Sequence, residues 1–111
     1  MSKSLITTHI LDTSLGLPAA NVAVTLSVQI DQHWQELDTQ QTDADGRIFN
    51  WALNDAQLPF GLYRLRFDTE TYLGESAFFP WVDICFQRRD ERHHHIPLLL
   101  TAFGYSTYRG S

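Results

Sequence analysis

The sequence predicts an all-β fold, an antiparallel β-sandwich of seven to eight short strands with one short helix. Three observations predict it. Apolar residues recur with a period of two in several segments. Turn-forming residues separate those segments at short intervals. Only residues 69–77, Thr-Glu-Thr-Tyr-Leu-Gly-Glu-Ser-Ala, read as a short helix.

The elements follow in order. Residues 5–11 form a first strand, with His9 on the same face as Leu5, Thr7 and Leu11. Leu15-Gly16-Leu17-Pro18 breaks it from the second. There Val22, Val24, Leu26, Val28 and Ile30 alternate with Asn21, Ala23, Thr25, Ser27 and Gln29, as a half-buried strand requires. Residues 34–40 and 47–50 are further strands. The tight turn Asp43-Ala44-Asp45-Gly46 separates these two, with Gly46 free to take positive φ. Tyr63, Leu65 and Phe67 alternate with Leu62, Arg64, Arg66 and Asp68. Val82, Ile84 and Phe86 alternate with Trp81, Asp83, Cys85 and Gln87. The charged run Gln87–Arg92 suits a hairpin connection into a last strand over 93–100.

A chain of 111 residues suits one domain spanning 1–111 and buries enough surface to fold without disulfides. Cys85 is the only cysteine and is expected in the core or an interface. The formal net charge of -5 argues against nucleic acid, because phosphate neutralisation needs a basic surface. MSKSLITTHI lacks the apolar stretch of a secretory signal, and no run reaches the roughly eighteen apolar residues of a membrane span. The expectation is a soluble cytoplasmic protein with no membrane partner. Ile96, Leu98 and Leu100 oppose Pro97 and Leu99, so the last strand is apolar on both faces. A sandwich buries only one of them, which points to oligomerisation.

Chemistry gathers near the end of the sequence. In an extended strand His93 and His95 share one face and His94 takes the other. A His-x-His pair is a real metal-ligand spacing, yet it lacks an evident third ligand. From the residues alone, a metal site, a catalytic or ligand-binding pair and ordinary edge histidines all stay open. His9 alone reads as a satisfied structural residue, and Arg47 as a solvated charge at a strand start.

Specific motifs go further. Thr8-His9-Ile10-Leu11-Asp12-Thr13-Ser14-Leu15-Gly16-Leu17-Pro18-Ala19 resembles the N-terminal signature of the transthyretin fold family. Thr42-Asp43-Ala44-Asp45-Gly46-Arg47 resembles its second block. His93-His94-His95-Ile96-Pro97-Leu98-Leu99-Leu100 and Tyr105-Ser106-Thr107-Tyr108-Arg109-Gly110-Ser111 resemble its third. The resemblance covers essentially the whole chain. The hormone-carrier branch has lysine, glutamate and threonine where this chain has His9, Arg47 and His95, and lacks the closing Tyr-Arg-Gly-Ser. The match is to the other branch, the 5-hydroxyisourate hydrolases.

That resemblance implies a transthyretin-like sandwich assembled as a homotetramer, a dimer of dimers with a channel between the dimers. It implies hydrolysis of the small molecule 5-hydroxyisourate in urate degradation, without cofactor or metal. His9, Arg47 and His95 would be catalytic, and Tyr108 and Ser111 would contact substrate, the tail Tyr108–Ser111 forming a wall of the site. A small-ligand carrier is the alternative. A metal-dependent hydrolase using His9, His93 and His95 is the rival enzyme. The chain departs from the hydrolase pattern at His94, where tyrosine is usual, and at Thr101-Ala102, where Ser-Pro is usual. The missing proline is expected to loosen the bend before the tail.

Overall fold

The computed structural model describes residues 3–111. The expected domain span of 1–111 includes Met1 and Ser2, which lie outside the described residues.

Among the described residues, nine strands form two packed sheets. They are β1 (Ile6–Asp12), β2 (Leu17–Pro18), β3 (Ala23–Ile30), β4 (His33–Gln41), β5 (Arg47–Ile48), β6 (Gly61–Phe67), β7 (Val82–Arg88), β8 (His94–Leu100) and β9 (Tyr105–Thr107). The first sheet runs β2-β1-β8-β9, with β5 also paired to β1, and the second runs β4-β3-β6-β7. The short helix α1 (Thr69–Leu73) continues into a 3-10 turn at Gly74–Ser76, so the expected helix is real but tighter at its end. Its start is capped by Asp68, whose carboxylate accepts the Thr71 N–H. A second 3-10 turn, Asp55–Gln57, and the short strands β2 and β9 carry too few residues to show a periodic signal.

Alternation sorts the core as expected. Val24, Leu26, Val28, Tyr63, Leu65, Phe67, Val82 and Ile84 of one sheet pack on Ile6, Ile10, Ile96, Leu98 and Leu100 of the other. Two assignments change. Ile30 ends β3 exposed, beyond a register shift at Leu26/Ser27. Cys85 is exposed rather than a core residue, because it sits at an outward position of β7 beside buried Ile84.

Among the described residues, all strand pairs but one are antiparallel. The exception is β1 with β8, which run parallel from Ile6↔His94 to Asp12↔Leu100. Strands so distant in sequence have no hairpin to fix their relative direction. The bend before β9 is held without proline. Thr101 Oγ1 donates to the Gly104 carbonyl at 3.1 Å and accepts the Phe103 N–H at 3.3 Å. The Thr101 N–H adds a bond to the Gly104 carbonyl at 2.9 Å, so the expected loosening is countered by a threonine clamp.

Candidate active site

The site is built on β1, which pairs with β2 and β5 on one side and with β8 on the other. His9 stands opposite Arg47 of β5 and opposite Pro97 of β8. His95 stands opposite Thr7, one step along the same outward face. Three sequence-distant residues thus meet on one side of the first sheet, each of them half-buried.

The turn ahead of β5 aims Arg47. The Asp43 carboxylate accepts the N–H groups of Asp45 at 2.9 Å and Arg47 at 3.0 Å. The Gly46 carbonyl accepts the Ile10 N–H at 2.8 Å, fastening the turn to β1. Gly46 is required twice: its φ is 73°, and a Cβ there would lie 2.5 Å from the Ile10 carbonyl oxygen. The Arg47 guanidinium lies 5.9 Å from the Phe49 ring centre, and no salt bridge among the described residues takes it up. Its five donors stay available to a ligand.

The electrostatics favour neutral rings. Burial lowers the pKa of His95 first, and His93, Arg47, His9 and Lys3 lower it further by like charge. Burial also lowers His9, with Arg47 adding to it, while the Asp45 backbone and the Asp43 and Asp45 carboxylates pull the other way. A neutral imidazole at physiological pH can accept a proton.

Sequence reasoning missed one participant outright and, for another inside the expected tail wall, the reason it is there. Thr7 is buried, and its Oγ1 lies 2.7 Å from His93 Nε2 and 2.7 Å from His95 Nδ1. It reads as one more alternating strand residue until the register with β8 is known. Gly110 is the other. Its N–H donates to the His95 carbonyl at 2.8 Å, and a Cβ on it would lie 2.5 Å from His95 Cδ2. Only glycine lets the tail lie this close to the ring. Tyr108 and Ser111 flank this contact and are exposed.

His94 belongs elsewhere. It is 4% exposed, lies 6.3 Å from the Phe86 ring centre, and its Nδ1 is 2.7 Å from the Arg92 carbonyl oxygen. It is a packed inner-face residue. A cleft of about 260 Å³ between β7 and the β8–β9 edge takes in His94, His95 and Tyr108, but not His9 or Arg47. It lies beside the convergence and not at it. Among the described residues no set of three His, Cys, Asp or Glu side chains could hold a metal. His93 Nε2 and His95 Nδ1 both point at the Thr7 hydroxyl, a different partner from the one a metal reading needs.

A family model described as "HIUase/Transthyretin family" matches residues 6–110. The chain belongs to that family. Within the HIUase/Transthyretin family it is similar to the mouse protein named 5-hydroxyisourate hydrolase, 42% identical over 97% of this chain and 96% of the relative. Among solved structures it is similar to Klebsiella pneumoniae 5-hydroxyisourate hydrolase, with 37% identity and a TM-score of 0.82 over 100% of this chain and 94% of the other. It is also similar to sea bream transthyretin in complex with thyroxine, with 34% identity and a TM-score of 0.87 over 95% and 93%. The fold of the HIUase/Transthyretin family is thus common to a named hydrolase and to a transthyretin solved with thyroxine. The side chains on the β1–β8 face have to separate the two.

Proposed function

We propose that the protein is a 5-hydroxyisourate hydrolase of urate degradation, forming 2-oxo-4-hydroxy-4-carboxy-5-ureidoimidazoline. The observation that carries this reading is the convergence of His9, Arg47 and His95 on one outward face. The names of the relatives supply the substrate.

The chemistry follows from the groups present. Water is a poor nucleophile at neutral pH and needs a base of matched pKa. His95 takes a proton from water, and the hydroxide adds to the ring carbonyl carbon next to N1. Negative charge gathers on the carbonyl oxygen, where the planar fork of Arg47 donates to it. The carbon–nitrogen bond breaks, and His95 returns its proton to the departing ring nitrogen. His9 binds and orients the planar substrate. Tyr108 and Ser111 line the substrate on the tail side, a placement supported by the contact of Gly110 with His95.

The assembly in this reading is a homotetramer whose dimers face each other across the β1–β8 sheet. Two features support it. Edge strands β7 and β9 are free to pair with a second copy. Phe78, Phe103 and Tyr105 are exposed although their rings cluster with Phe79. Exposed, unpaired Cys85 suits the reducing cytoplasm.

The test is a spectroscopic assay with freshly generated 5-hydroxyisourate, before and after dialysis against a strong chelator. Turnover unchanged by the chelator is expected. Loss of turnover after dialysis would favour the metal-dependent hydrolase, and binding without turnover would favour the carrier. Leu99→Glu places a charge on the half-buried outer face of β8 and should reduce the tetramer to dimers or monomers, seen by light scattering. A fully active monomer would remove the shared channel.

A further inference from the structure

A threonine hydroxyl has one proton to donate. Thr7 Oγ1 nevertheless faces two ring nitrogens at 2.7 Å, His93 Nε2 and His95 Nδ1. With both rings neutral, the buried Thr7 proton finds a partner only when one nitrogen accepts from Thr7 and the other donates to it. The two tautomers are therefore coupled through one oxygen. Thr7 is 1% exposed, so water does not relieve the constraint. The rings of His93 and His95 stand 6.2 Å apart at 69° to one another, as two side chains converging on one oxygen require.

The coupling has a preferred direction. Nδ1 of His95 points at Thr7, so Nε2 lies on the opposite side of the ring, where Cδ2 approaches Gly110. That nitrogen has no hydrogen-bond partner among the described residues. The groups charging the surroundings of His95 are Arg47 from β5, His9 from β1, Lys3 ahead of β1 and His93 from its own side of the sheet. All are cationic or can become so. Such surroundings favour a neutral His95, and with Nδ1 donating to Thr7 its lone pair lies on Nε2.

We infer that Thr7 and His93 are positioning residues that hold the proton of His95 on Nδ1, leaving Nε2 as the lone pair that takes a proton from water. In this arrangement His95 Nδ1–H donates to Thr7 Oγ1, and Thr7 O–H donates to His93 Nε2. Protonating His93 reverses the chain. Its Nε2 then donates to Thr7, and the Thr7 proton keeps a partner only by turning to His95 Nδ1, which moves the His95 proton to Nε2, where it blocks the base. The proposal rests on the hydrolase reading for its consequence in turnover, but not for the tautomer itself.

Nitrogen-15 NMR of the imidazoles in the whole protein near neutral pH reads the tautomers directly. Protonated Nδ1 and unprotonated Nε2 are expected for His95, and unprotonated Nε2 for His93. Thr7→Val removes the bridge and should return His95 toward the Nε2–H form, while Thr7→Ser should keep the wild-type pattern. In the assay, Thr7→Val should lower kcat about tenfold with KM within about twofold, and Thr7→Ser should recover most of the loss. An Nε2–H tautomer of His95 in the wild type overturns the proposal. So does an unchanged His95 tautomer in Thr7→Val. Should Thr7→Val not fold, the wild-type spectrum and Thr7→Ser still decide it. A wild type without turnover would sink the hydrolase reading alone, since the spectrum tests the bridge independently.

Discussion

The outer faces of the two sheets treat arginine in opposite ways. On the β4-β3-β6-β7 sheet, Arg66 donates two bonds of 2.7 Å to the Asp83 carboxylate, and its guanidinium lies 5.6 Å from the Trp81 ring centre. Its neighbour Arg64 lies 4.6 Å from the Trp34 ring centre. On the β1–β8 sheet, Arg47 has no ion pair among the described residues and stands opposite a histidine. Both faces are polar and both belong to alternating strands. Where polar groups satisfy one another, the face holds the fold together. Where they are aimed at a common point and left unpaired, the face is equipped for a ligand.

The largest expected effect tests the β1–β8 face. His95→Asn keeps size and hydrogen bonding but not basicity, and should lower kcat about 100-fold or more with the fold retained by circular dichroism. A kcat near wild type would place the base elsewhere. Next, Arg47→Lys keeps the charge and loses the fork, so turnover should fall about tenfold or more with the melting temperature nearly unchanged. Gly110→Ala should act comparably. The added Cβ meets His95 Cδ2 and must move either the ring or the tail, so activity should fall while the core stays intact.

A smaller effect is titration. His9, His93, His94 and His95 are all held below the ordinary imidazole value, with burial the first cause of each. The unfolded chain therefore binds protons more readily than the folded one. This contribution to stability is complete above the unfolded value of about 6.5 and is lost as pH falls through the lower folded values. The melting temperature should drop between about pH 7 and pH 5, and turnover should drop with an acid limb below about 6.5. A melting temperature that rises on acidification would contradict the sign. The smallest effect belongs to the other sheet. Arg66→Ala removes a largely solvated pair, so it should cost about 0.2–1 kcal/mol of stability and leave turnover unchanged. Loss of activity there would break the contrast between the faces.

Much of this was legible in the sequence. The alternation in β3, β6 and β7 located the strands and their inner faces, because burial on one side writes a period of two. Family motifs marked His9, Arg47 and His95, and the structure brings those residues together. Their joint role is a matter for the assay. What stayed hidden depends on register. Thr7 has no signal of its own until β8 is laid beside β1 in parallel, and Gly110 reads as an ordinary tail glycine until its distance to His95 is known. Cys85 was expected in the core or an interface because its neighbours are apolar; the alternation of β7 puts it outside, which removes the core half of that expectation.

The parallel β1–β8 ladder has a consequence for how the protein is made. The bridge from Thr7 to His95 spans 88 positions of sequence, and the Thr8 hydroxyl reaches the Ile96 carbonyl across an equal separation. Contacts this remote in sequence form late, after the loop between them has been ordered. During synthesis β1 is made long before β8 and waits with no partner on that side. The hairpin-linked strands β3 and β4 can meet early, but the face bearing His9 cannot be completed until the strand around His95 has been made. A chain that stops short of β8 would hold His9 and Arg47 side by side but lack His95. The three would come together in one step, once β8 has been made.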